Sequence, residues 1–155
     1  MIGLFLPMAL SMAPAAADRL DLSRIASTTT MEGTCRKLIL PGGGDNTSRC
    51  AGKIAHITYR DGRSSFRIAV AGNILIGFYG NEKAATGDTA TLVVTNILVT
   101  PPFGRGADVL NAEGECRFTA PGAGPAQVEC KATRPGEAYE LSFASDGKPP
   151  TVERP

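Results

Sequence analysis

The sequence predicts an all-β fold, a small sandwich or barrel of about eight antiparallel strands stapled by two local disulfides. Three observations predict it. Apolar and polar residues alternate with a period of two over several short runs, the signature of strands with one buried face. Glycine and proline number 18 and 11 in 155 residues, a turn-rich composition that suits short strands better than helices. The four cysteines fall into two close pairs, Cys35 with Cys50 and Cys116 with Cys130, and each pair brackets a Pro-Gly turn.

The elements follow in order. A first strand is expected over residues 34–40. Residues 54–59 and 64–70 flank Asp61-Gly62, a strong hairpin signal. A two-residue turn there pairs Tyr59 with Ser64, Ile57 with Phe66 and Ala55 with Ile68, which collects the apolar side chains on one face. The same register turns His56 outward, across from Arg67. Strand 74–79 is entered through Ala71-Gly72-Asn73. A three-residue loop with Asn73 left-handed sets Ile74, Ile76 and Phe78 beside Val70, Ile68 and Phe66. The run 91–100, TLVVTNILVT, is apolar on both faces and reads as a central strand covered from both sides. Residues 116–120, 127–132 and 138–144 complete the set.

Residues 80–89 and 101–113 read as loops, and the Pro-rich tail 147–155 as loose. Residues 18–33 have no clear period and stay unassigned, so one β domain is expected over 34–146. Gly33-Thr34-Cys35-Arg36 matches Gly114-Glu115-Cys116-Arg117, which suggests a weak internal duplication of 33–79 and 114–146 or a chance likeness.

Residues 1–17 are uncharged and almost wholly apolar, and they end in Ala15-Ala16-Ala17 before Asp18. That is the pattern of a secretory signal peptide cleaved after Ala17, although no Lys or Arg precedes the apolar run. The segment is too short for a stable membrane span. The expected location is periplasmic or extracellular, where an even cysteine count implies disulfides. Folding at the Pro-Gly turns brings Cys35 to Cys50 and Cys116 to Cys130, and closing loops of this length stabilises by roughly 3 kcal/mol each. No C-x-x-C is present, so neither a zinc site nor a thioredoxin-like motif is expected.

Sixteen Lys+Arg against 15 Asp+Glu leave a formal charge of +1, too little for electrostatic capture of nucleic acid. No cofactor and no metal are expected. Gly42-Gly43-Gly44 lacks the Lys-Ser/Thr of a phosphate loop, and no G-x-S-x-G elbow occurs. Carboxylates are scattered, though Glu115 and Glu129 would lie close in the stapled register. Asn46-Thr47-Ser48 matches a glycosylation sequon and reads as an exposed polar loop.

These features favour a non-enzymatic binding module for a protein or ligand of unknown identity. Phe103 and Arg105, in the long 101–113 loop, are its candidate anchors; Phe103 could instead fold back to cap the end of the domain. Two alternatives stand beside this reading. One is a small-ligand carrier with a barrel cavity lined by Leu75, Tyr79 and strand 91–100. The other is a small secreted hydrolase using His56, the only histidine, with a carboxylate.

Overall fold

The computed structural model describes residues 24–103, 106–120 and 124–155, so the signal-peptide segment 1–17 and Arg105 lie outside the described residues. Ten strands run through it: β1 (Ile25–Leu40), β2 (Gly44–Asp45), β3 (Cys50–Tyr59), β4 (Arg63–Val70), β5 (Ile74–Thr86), β6 (Thr89–Thr100), β7 (Asp108–Thr119), β8 (Gln127–Arg134), β9 (Glu137–Ser145) and β10 (Thr151–Glu153). Eight of them close an antiparallel barrel in the order β1-β3-β4-β5-β6-β7-β8-β9, with β9 pairing back onto β1. The barrel form of the expected all-β fold is the one adopted. Strand β2 folds back on the end of β1, and β10 pairs with Thr28–Thr30 at its start.

Residues 25–33, unassigned from sequence, belong to one long strand with 34–40, and the tail expected to be loose carries β10. Antiparallel alternation puts the β3–β4, β5–β6 and β7–β8 connections at one end of the barrel, together with the β9–β10 link. The β4–β5, β6–β7 and β8–β9 connections lie at the other end.

The β4–β5 turn forms as expected. Asn73 sits at φ 60°, and Val70, Ile68 and Phe66 lie opposite Ile74, Ile76 and Phe78. The β3–β4 turn does not. Its loop has three residues, with Gly62 at φ 85° and its N–H donating to Tyr59 O at 3.1 Å. A left-handed glycine closing a three-residue loop adds one residue over the two-residue turn. Ile54 therefore faces Ile68, and His56 faces Phe66. Since side chains alternate, this one-residue shift reverses β3: Ile54 and His56 point inward, while Ala55, Ile57 and Tyr59 line the outer wall. The outer face of β3, with Ala55, Ile57 and Tyr59, is more apolar than the inner face with Ile54, His56 and Thr58, so apolar content favoured the register that the three-residue loop overrules.

The β5–β6 hairpin is longer than expected. Its strands continue to Thr86 and Thr89 around Gly87-Asp88, so most of 80–89 is strand. Strand β7 begins at Asp108, which leaves a shorter β6–β7 connection than 101–113.

The barrel interior is filled by Leu38, Ile54, Phe66, Ile68, Phe78, Leu92, Ile97, Leu141 and Phe143, all within 1% of complete burial. Burying side chains of this size contributes about 1.5–3 kcal/mol each before ordering costs. In β6, Leu92, Val94 and Ile97 join this core. Leu98 on the outer wall is also buried, but by its own sheet and not by a second layer. It fills the notch left by Gly77, where an added Cβ would lie 3.2 Å from Leu98 Cβ and 3.4 Å from Arg67 Cγ.

Both disulfides form as expected, Cys35–Cys50 with Cα atoms 6.0 Å apart and Cys116–Cys130 with 4.0 Å. Cys116 and Cys130 face each other in the β7–β8 ladder. The glycines of the repeated G-x-C-R share one local task. A Cβ on Gly33 would lie 2.0 Å from Ala144 O, and one on Gly114 would lie 2.0 Å from Lys131 O, so each admits a neighbouring backbone that no side chain could.

Candidate functional site

The inward register of β3 creates a site that the sequence reading did not anticipate. His56 occupies the inner row at the barrel end where β3–β4, β5–β6 and β7–β8 turn. Its ring stacks on Phe66, with centroids 4.5 Å apart and planes 14° from parallel, and Phe118 packs at a tilt 5.3 Å away. Strand β5 supplies the partner. Counting inner positions by two from Ile76 through Phe78 and Gly80 reaches Glu82, whose Oε1 lies 2.6 Å from His56 Nε2. The expectation of an outward His56 beside Arg67 is thus overturned. Arg67 stands on the outer wall and donates to Tyr59 Oη at 2.8 Å.

The hydrogen bond from His56 holds the Glu82 carboxyl below its ordinary range, against the opposing effect of burial. Ser64, fully buried nearby, biases it further in the same direction although its hydroxyl lies outside standard hydrogen-bond geometry. An ionised carboxylate only accepts hydrogen bonds, so His56 Nε2 carries the proton of this contact. Nδ1 makes no hydrogen bond among the described residues.

His56, Phe66 and Phe118 form one wall of a cavity of about 300 Å3. Met31, Val128, Pro150 and Val152 supply further apolar walls, and Thr29 and Thr119 the remaining polar groups. The cavity exists because the barrel wall parts here. Ser145 closes on Ala126 through paired hydrogen bonds, 2.8 Å from its N–H to Ala126 O and 2.7 Å from the Ala126 N–H to its Oγ. Beyond that point β9 ends, the chain passes through Asp146–Pro150, and β10 resumes along β1. The gap between β10 and the facing ends of β7 and β8 is the mouth.

The other sequence candidates lie elsewhere. Phe103 is 89% exposed at the opposite end, so it caps nothing. Leu75 and Tyr79 alternate with inward Ile76 and Phe78, which puts them on the outer wall; they line no barrel cavity, and the barrel centre is filled. Glu115 and Glu129 form no acid pair. In the ladder they face Lys131 and Arg117, and Ser142 donates to Glu129 at 2.6 Å. Asn46 is only 7% exposed and its side-chain amide donates to Gly44 O at 3.0 Å, so the sequon is not the exposed loop expected.

Comparison of the chain with protein-family models, with curated proteins and with solved structures finds no match. Among the described residues no group of His, Cys, Asp and Glu has metal-binding geometry, and no helix is long and apolar enough to cross a membrane.

Proposed function

We propose that this protein is an exported, non-enzymatic binding module whose barrel mouth takes a small, mostly apolar ligand. The two disulfides support export, since such bonds persist in oxidising compartments. The observation that carries the binding reading is the mouth cavity itself. At about 300 Å3 it stands at the lower bound of pockets that bind small molecules, and its walls are apolar with a few polar groups grouped around His56.

A hydrolase would also use a histidine beside a carboxylate. Here Glu82 occupies Nε2, and His56 hydrogen-bonds no hydroxyl or thiol among the described residues, so the pair supplies a polar contact more readily than an activated nucleophile.

Titrating 4-ethyltoluene into the disulfide-bonded protein, followed by methyl NMR, tests the proposal. Saturable shifts are expected at Met31, Val128 and Val152. Ala120→Trp, which sets an indole at the exposed rim, should abolish them. Absence of any saturable shift, or shifts that survive the rim substitution unchanged, would overturn the reading.

A further inference from the structure

Two polar side chains of the mouth cavity, His56 at Nδ1 and its ladder neighbour Thr29, make no hydrogen bond among the described residues, and this limits what the cavity can hold. His56 is fixed on three sides: Phe66 stacks on its face, Phe118 packs against it, and Glu82 takes the Nε2 proton. In the neutral ring that arrangement selects one tautomer and leaves Nδ1 as an acceptor. Nothing among the described residues donates to it. A purely apolar ligand would desolvate Nδ1 without replacing its water, at a cost comparable to a lost hydrogen bond. An anion would sit beside the Glu82 carboxylate. A cation would give up its hydration against Met31, Val128 and Val152, and Glu82, the carboxylate near the site, is not among the lining residues and is already held by His56 Nε2.

Resting on the binding reading above, we infer that the ligand of the mouth is an uncharged molecule with an apolar body and one hydroxyl, which donates its hydrogen bond to His56 Nδ1. The cavity's size sets the body. At about 300 Å3 the cavity has the size of the smallest small-molecule pockets, which suits a substituted single ring or a short branched chain. The aromatic wall made by Phe66, His56 and Phe118, with Phe118 inclined 57° to the imidazole and 69° to Phe66, favours a ring, which packs edge-on or offset against other rings. A phenol is the simplest molecule that meets these terms.

The pair 4-ethylphenol and 4-ethyltoluene differs only by hydroxyl against methyl. Because His56 is the only histidine, its two ring nitrogens give unambiguous signals in long-range proton–nitrogen spectra of the wild-type protein. At pH 8, 4-ethylphenol should move the Nδ1 resonance in proportion to occupancy, and 4-ethyltoluene should bind without doing so. In His56→Phe, which keeps a ring on Phe66, the affinity ratio of phenol to toluene should fall by about tenfold, in line with the loss of one hydrogen bond. The wild-type measurement stands even if that variant fails to fold. Binding of both compounds with Nδ1 unmoved, or an unchanged ratio in His56→Phe, would overturn the hydroxyl inference and leave the binding reading intact. Binding of neither compound would remove both.

Discussion

His56 and Glu82 are 26 residues apart and meet only because β3 and β5 each carry an inward row to the same end of the barrel. Their pairing has a consequence for acid stability. The Glu82 carboxyl titrates below its ordinary range in the folded protein because His56 hydrogen-bonds the charged form. A carboxyl whose folded pKa is depressed adds stability that is fully present above the unfolded value, about 4.3, and lost as pH falls through the folded value. Glu82→Gln should therefore cost about 1 kcal/mol at pH 5, an amount reduced from the full charged hydrogen bond because the pair is partly wet. The gap between variant and wild type should close as pH drops from about 4 towards 3. Urea unfolding across that range reads it directly. A gap that stays constant into strong acid would mean that Glu82 contributes through packing and not through its charge.

Among the elements, turns decided what could be read in advance. Asn73 takes the left-handed conformation more readily than most residues, so the three-residue β4–β5 loop and the Phe66/Phe78 register were legible. Asp61-Gly62 suits a two-residue turn or a three-residue loop with the glycine last, and the choice inverts β3. With it went the site, because an outward His56 has no aromatic stack and no carboxylate. The signal that would have found Glu82 was present: Gly87-Asp88 can close a two-residue hairpin, and extending β5 back from it puts Glu82 in phase with Ile76 and Phe78. The opening between β10 and β7–β8 was not legible, since no local pattern marks where a strand leaves its neighbour. The β6–β7 connection carries a separate expectation. Phe103, with Pro101 and Pro102 before it, is 89% exposed, which supports a protein contact at the end opposite the mouth. Phe103→Ala should leave the melting temperature within about 2 °C of wild type, the size expected of a surface change, and should reduce retention of proteins captured from the native extracellular or envelope fraction. A melting temperature lowered by several degrees would show that Phe103 packs in solution and end its use as an anchor.

At the scale of the molecule, two kinds of long-distance tie differ in sequence separation. The disulfides span 15 and 14 residues, whereas the seam joins β1 to β9 across the whole barrel, with Gly33 opposite Ser145. A chain ending at Arg134 keeps all four cysteines but loses β9, and with it the seam; it should show no cooperative thermal transition even when fully oxidised. A chain ending at Asp146 keeps the seam and loses β10, so it should melt cooperatively yet bind 4-ethyltoluene weakly, because Pro150 and Val152 no longer wall the mouth. A cooperative melt for the first chain, or full affinity for the second, would refute this division. The seam also bears on time. Strands with such distant partners pair late and slowly, on a scale of milliseconds to seconds, and here the last partner is the final strand of the barrel. During synthesis the earlier strands emerge with two small local loops already available to oxidise, but with nothing to close against. The order in which residues appear therefore holds the barrel open until β9 arrives.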